Sequence, residues 1–218
     1  MKWYIYIVLL VLFCIILLWF ILHNKNSKSL FVQITQEEYN VILDVKYATE
    51  DNFTGKVIYK TPSVFLHKNT ASKLKVASEY AEKLGYKIKV FDGFRPLEIQ
   101  ERLFNEIKDE RYVSDPKKGV ASHSRGVAVD VTLVKKDNLK EVDMGTEFDS
   151  FNETAHHKFN AVTPEILQNR IILAGIMSVA GFTPLSTEWW HYNLRIYEEY
   201  PNYEEYPKLN AEDIGISL

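Results

Sequence analysis

The residues best suited to chemistry lie in two short stretches, Ala121-Ser122-His123-Ser124-Arg125-Gly126 running on to Asp130, and Glu188-Trp189-Trp190-His191. Together they offer two imidazoles and a carboxylate as direct metal ligands, with a second carboxylate three residues before the last of them. Three nitrogen or oxygen ligands leave a fourth position open, the pattern of a catalytic rather than a structural zinc site. A free carboxylate beside that position can take a proton from an activated water. The readings expected are His123, Asp130 and His191 as ligands and Glu188 as the proton-transfer group.

Local chemistry supports the grouping. Gly126 permits a sharp turn, so His123 can fold back over the strand that carries Asp130. Alternation along that strand places Val127, Val129 and Val131 on one face, and Ala128 and Asp130 on the other. Glu188 and His191 would face opposite ways on a regular strand, so the backbone has to bend or bulge between them. Standing alone, Asp130 would read as a carboxylate on a half-exposed strand. Arg95, in Gly93-Phe94-Arg95-Pro96, carries a fixed fork of donors suited to a developing oxyanion; alone it would read as an ion pair with Asp92 or Glu98. His67 reads as packing or turn, His23 as an interface residue, and His156 and His157 as a loop pair without ligand spacing.

These side chains need a framework, and 218 residues can supply one. The one cysteine, Cys14, excludes an intrachain disulfide and a thiolate zinc site. A net charge of −3 and a pI near 6.1 show no basic excess, so no nucleic-acid partner is expected. Residues 3–22 carry no charge and would span about 30 Å as a helix, a bilayer core's thickness. The long apolar run and the absence of a small-x-small cleavage site favour a retained transmembrane anchor over a cleaved signal peptide. Lys25 and Lys28 outnumber Lys2, which by itself favours an inner-side domain. An anchor before a single domain usually delivers it outward, and the outer side (periplasmic or extracellular) is the expected location.

The expected organisation is anchor and linker over 1–28, one domain over 29–196, and an acidic Tyr/Glu/Pro tail over 197–218, solvated or capping an edge. Strands are expected over 31–35, 41–47, 63–66, 87–91, 126–133 and 189–196. Helices are expected over 71–84, capped by Asn69 or Thr70; from Pro96 to about 111; and from Pro164 to about 179, capped by Thr163 and closed by Gly181. Residues 135–161 show no period, as in loops that are functional or disordered. The class is α+β, about three helices against a small, mostly antiparallel sheet.

With these segments in hand, the chain resembles the D-alanyl-D-alanine dipeptidases, zinc peptidases that share a fold with D-alanyl-D-alanine carboxypeptidases and the hedgehog signalling domain. The resemblance runs from Leu43 to about Arg195. It rests on Lys46-Tyr-Ala-Thr-Glu-Asp-Asn-Phe-Thr-Gly55, Asp92-Gly-Phe-Arg-Pro96, Ser122-His-Ser-Arg-Gly126 through Asp130, Met144-Gly through Phe148-Asp149, and Glu188-Trp-Trp-His-Tyr192. It implies one zinc ion on His123, Asp130 and His191, Glu188 as general base and acid, and Arg95 as transition-state stabiliser. Tyr47 and Asp149 match positions near the substrate's free amino end, and Ser122 one close to the bound dipeptide. Ala121 stands where the family motif has serine, which bears on one substrate hydrogen bond. The implied activity is hydrolysis of D-alanyl-D-alanine in cell-wall metabolism. The alternatives are a carboxypeptidase trimming peptidoglycan stem peptides and a catalytically silent binding module.

Overall fold

The computed structural model describes residues 2–118, 120–199 and 205–216. A first helix, α1 (Lys2–Leu30), leads into β1 (Phe31–Ile34), the one-turn α2 (Gln36–Tyr39) and the two-residue β2 (Ile42–Leu43). Next come β3 (Val64–His67), α3 (Lys68–Lys83), β4 (Tyr86–Asp92), α4 (Leu97–Ile107) and β5 (Ala128–Lys135). The chain then forms α5 (Pro164–Ala180), β6 (Phe182–Pro184), β7 (His191–Leu194) and the short α6 (Arg195–Glu199). The main sheet has the order β2-β4-β5-β7-β6; β2 runs parallel to β4 and the other pairs are antiparallel. β1 and β3 form a separate antiparallel pair. The mixed α+β class expected of the sequence is the one observed.

Central β5 is buried from Ala128 to Val134, which identifies it as a strand covered on both faces. Val129, Val131 and Leu133 join the main core with Leu74, Ala77 and Ala81 of α3 and Leu173, Ile176 and Met177 of α5. Val127 does not share that face. It precedes the strand and packs with Leu194, Tyr197 and Tyr206 in a second cluster, because the chain turns at Gly126.

Several boundaries differ from expectation, each for a local reason. Residues 41–47 do not continue as a strand: after β2 the chain tightens into a 3-10 turn (Lys46–Ala48), which sends Tyr47 inward to 1% exposure. The helix expected over 71–84 begins at Lys68, because the ring of His67 accepts the backbone N–H of Asn69 at 3.2 Å and so caps α3. α4 ends at Ile107, four residues short of Arg111, where Lys108 adopts the left-handed conformation. The last strand covers only His191–Leu194, since Trp189 and Trp190 lie in the required bend and Arg195 starts α6. β6 was not foreseen; its three residues form a hairpin with β7. α5 matches its signals: Thr163 Oγ1 accepts from Ile166 N, and Gly181 closes the helix at φ 106°.

The expected transmembrane anchor falls on α1. Its side chains are exposed throughout residues 6–18, and those of residues 19–29 lie outside the described set. Among the described residues no helix is long and apolar enough to cross a membrane. The tail beyond α6 is described from residue 205 and packs against the domain, with Tyr206, Leu209 and Ala211 buried.

Gly126 offers a test of the fold around the site. Its φ of 66° lies in the left-handed region that favours glycine, and an added Cβ would lie 2.4 Å from Phe31 Cε1 and 2.8 Å from His67 N. Gly126→Ala is expected to destabilise the domain by roughly 2–4 kcal/mol, combining left-handed strain with overpacking. Urea unfolding of both proteins measures it; a difference under about 1 kcal/mol would show that the turn has an unstrained alternative.

Candidate metal centre and active site

The sheet lines up three of the site's side chains. Asp92 of β4 stands opposite Asp130 of β5, and Asp130 stands opposite His191 of β7. A register shift between Val90 and Asp92 brings Asp92 into this row. His123 comes from outside the sheet, on the 3-10 turn His123–Arg125 closed by Gly126. Two bonds lock that turn to the end of β4: Arg95 N donates to His123 O at 3.2 Å, and His123 Nδ1 lies 2.6 Å from Gly93 O. A Cβ at position 93 would meet Val64 Cγ1 at 2.7 Å and Phe65 O at 2.9 Å, so this close backbone approach depends on glycine.

The three expected ligands converge. His191 Nδ1 lies 3.0 Å from Asp130 Oδ1, His123 Nε2 lies 3.3 Å from the same oxygen, and the two nitrogens are 3.1 Å apart. Their outer partners fix what these atoms are. A carbonyl can only accept, so His123 Nδ1 carries the proton donated to Gly93 O and its Nε2 presents a lone pair. His191 Nε2, 3.0 Å from Asn193 Oδ1, likewise carries a proton, leaving its Nδ1 as a lone pair. Two imidazole lone pairs and a carboxylate oxygen therefore point at one spot. All three groups are buried. Burial by itself raises the Asp130 carboxyl, yet His123 and His191 hold it far below the usual carboxylate range. His191 loses by burial and gains more from Asp130, ending at about 9: Asp130 holds on its Nδ1 a proton that a bound cation would displace, which frees the lone pair. Both shifts describe a place that favours positive charge.

Glu188 is placed by a turn in which its N–H donates to Leu185 O at 3.2 Å. Its Oε2 stops 3.9 Å from His191 Nδ1, beyond hydrogen-bond reach but beside the cluster. Burial pushes the Glu188 carboxyl up to about 7, against the pull of His191 and Arg95. A carboxylate poised there suits proton transfer near neutral pH.

Arg95 is buried rather than on the surface. Its Nε and Nη2 grip Asp92 Oδ2 at 2.9 and 2.8 Å, Nη1 donates to Gln100 Oε1 at 3.1 Å, and Nη2 lies 3.7 Å from Asp130 Oδ2. The guanidinium sits over the Tyr47 ring at 5.1 Å. The pairing with Asp92 and the pocket position are both real, whereas Glu98 accepts Ala211 N instead. Asp92 also accepts from Tyr59 OH and Gly93 N, so the fork has a fixed support.

One cavity of about 460 Å³ joins Tyr47, Arg95, Ser122, Asp149, Glu188 and the three-residue cluster. The structure thus brings together all eight residues singled out in the sequence. At one wall Tyr47 OH donates to Asp149 Oδ2 at 2.8 Å. Desolvation leads the causes that raise the Asp149 carboxyl well above its ordinary value, partly offset by Arg95. Ala121, at φ 48°, presents only a methyl to the cavity.

Sequence reasoning missed Asn193, Gln100 and Arg170. Asn193 lies two residues beyond His191 on the same strand face, a spacing that could have revealed it. Arg170 is a single cation in the apolar α5; it donates to Met144 O, Thr154 O and His156 O and so holds the unpatterned loop that carries Asp149.

A family model described as D-ala-D-ala dipeptidase matches residues 27–208. The D-alanyl-D-alanine dipeptidase of Escherichia coli is 36% identical over 159 residues, covering 73% of this chain and 81% of that one. The D-alanyl-D-alanine dipeptidase of Enterococcus faecium is 36% identical over 197 residues, covering 81% and 97%. Among solved structures, a vancomycin-resistance D,D-pentapeptidase in complex with Zn(II) aligns over 82% of this chain and 91% of its own, at 17% identity and a TM-score of 0.40.

Proposed function

This chain belongs to the D-alanyl-D-alanine dipeptidase family, and on that premise we propose that it is a zinc peptidase splitting free D-alanyl-D-alanine into two D-alanines. The observation that carries the reading is the convergence of two imidazole lone pairs and the Asp130 carboxylate, with Glu188 alongside.

The donor set fits zinc. Bonds of about 2.0–2.1 Å to a tetrahedral ion separate its ligand atoms by roughly 3.3–3.4 Å. The three atoms here lie 3.0–3.3 Å apart. Each imidazole has its other nitrogen satisfied by an acceptor, the arrangement that orients metal ligands. His123, Asp130 and His191 would hold the ion. When bound, zinc would acidify a water to a pKa of about 7 and polarise the scissile carbonyl.

The chain's own groups do the rest. Glu188 takes the proton of the attacking water and returns it to the leaving amine, so no charged leaving group is expelled. Arg95, held by Asp92 and Gln100, meets the oxyanion with a preset fork and little reorganisation. Asp149 and Tyr47 close the amino end, where a substrate ammonium would restore the charge that burial disfavours on Asp149. Ser122 lies on the cavity wall beside the dipeptide.

A pocket closed by a carboxylate selects a free amino end. D-Ala-D-Ala is expected to be cleaved, while its N-acetyl form and a pentapeptide stem ending in D-Ala-D-Ala are left intact. Comparable cleavage of the stem would replace the dipeptidase reading with a carboxypeptidase. Asp149→Asn is expected to lower kcat/KM for the free dipeptide about 10–100-fold, the value of one charge-assisted bond of roughly 1.5–3 kcal/mol. A loss under about threefold would remove Asp149 from the amino end.

The proposal extends to location: α1 is an anchor holding the domain on the outer side of a membrane. Support comes from the uncharged run of residues 3–22 and from the exposure of residues 6–18. Apolar side chains on every face of a helix have no water-facing arrangement. Recovery of the full chain in the soluble fraction after cell lysis would defeat the anchor.

A further inference from the structure

We propose that residues 205–216 act as a strap that positions Arg95 and His123 for the reaction, an inference that rests on the roles just assigned to them. The argument starts at the N-terminus of α4. The first N–H groups of a helix lack partners within it, and Pro96 at the cap position supplies no side-chain acceptor. The missing acceptor comes from the tail: Leu97 N donates to Leu209 O at 2.9 Å. The same residue's N–H donates to Ser124 O at 2.9 Å. Leu209 therefore bridges, through its backbone alone, the turn just after Arg95 and the turn that carries His123.

The bridge is fastened on both sides. Arg125 Nη1 donates to Tyr206 O at 2.6 Å while its Nε holds Val120 O at 2.8 Å. Ala211 N donates to Glu98 Oε1 at 3.0 Å, and Lys208 Nζ to Pro116 O at 2.8 Å. Tyr206 is the rivet: it is buried, its ring lies 4.5 Å from that of His67, and its hydroxyl accepts Asn69 Nδ2 at 2.8 Å. One acidic side chain of the tail takes part as well: Glu205 Oε1 accepts Asn69 Nδ2 at 3.4 Å. A displaced strap would leave the ligands present but the Arg95 turn and the His123 turn joined mainly through their direct bonds, and shifts near 1 Å at such groups cost about 10²-fold in rate.

The test compares Leu209→Pro, which deletes the N–H given to Ser124, with Leu209→Ala, which keeps both backbone bonds, each in the full chain. Leu209→Pro is expected to lower kcat for D-Ala-D-Ala about 10–100-fold below Leu209→Ala, with KM within about twofold and one zinc per chain retained. Hydrogen exchange at the Leu97 amide should accelerate in Leu209→Pro and stay at the parent's rate in Leu209→Ala. A second variant, Tyr206→Ala, keeps every backbone group and should show the same exchange change with a smaller fall in kcat. Equal kcat in the two Leu209 variants, or a Leu97 amide as protected as in the parent, overturns the proposal. If Leu209→Pro does not fold, unchanged kcat and exchange in Tyr206→Ala overturn it equally. A parent chain without dipeptidase activity would defeat the proposed function, whereas Leu97 exchange reports on the strap either way.

Discussion

Glu188→Gln is expected to keep one zinc ion bound per chain and to reduce turnover of D-Ala-D-Ala by about 10²–10⁴-fold, the usual contribution of a general base. The substitution changes little except proton affinity. Glutamine fills the same buried volume, and the turn that positions residue 188 uses the backbone bond to Leu185 O. Because Glu188 Oε2 lies 3.9 Å from His191 Nδ1, it is not bonded to the metal cluster, and zinc affinity should hold. Magnitude decides between roles. A residue contributing only a neutral hydrogen bond to substrate would cost about 0.5–1.5 kcal/mol, close to tenfold or less. A loss above a hundredfold with KM little changed places Glu188 in the proton transfer. Unchanged turnover removes it from the chemistry.

The second large effect is expected at Asp130. Asp130→Asn should weaken zinc binding by about 10²-fold or more, beyond the 10–100-fold typical of losing an outer hydrogen-bond partner. The carboxylate is the negative member of the cluster, 3.0 and 3.3 Å from the two ligand nitrogens, and it is also 3.7 Å from Arg95 Nη2. An amide keeps the shape but removes the charge that offsets two cations in a buried place. Asn193→Ala supplies the graded comparison, since Asn193 orients His191 without touching the cluster's centre. Competition with a chromophoric chelator measures both. Equal zinc affinity for Asp130→Asn and the parent would mean that the metal sits elsewhere.

What the sequence revealed of this site was its donor atoms; what it hid was their orientation. His123, Asp130, Glu188 and His191 stood out because histidine and carboxylate spacing is a property of residue type. The tautomers depend on Gly93 O and on Asn193, and a backbone carbonyl thirty positions from His123 leaves no mark in residue identity. The need for a bend before His191 followed from facing rules alone, and Trp189 and Trp190 do lie in one. The helix α5 announced itself through Thr163, Pro164 and Gly181, all local signals. The α3 start did not, because the cap is His67, a residue rarely used for that purpose. Residues 41–47 looked like a strand by composition, but only two of them find a partner strand, and the 3-10 turn aims Tyr47 at the cavity instead. Arg95 carried both of its readings at once, since the ion pair with Asp92 is what fixes its fork in the pocket. The tail's charge hinted at solvent, yet its attachment runs through backbone groups and buried Tyr206, Leu209 and Ala211.

The central claim is that His123, Asp130 and His191 close on a single cation that the reaction requires. Chelator-stripped protein titrated with Zn²⁺, with bound metal and D-Ala-D-Ala hydrolysis followed in the same samples, addresses it directly. The account predicts no hydrolysis without metal, and activity rising in step with binding until one ion per chain is reached. Full activity in the stripped protein, or zinc bound at that stoichiometry without any cleavage of the dipeptide, would contradict it.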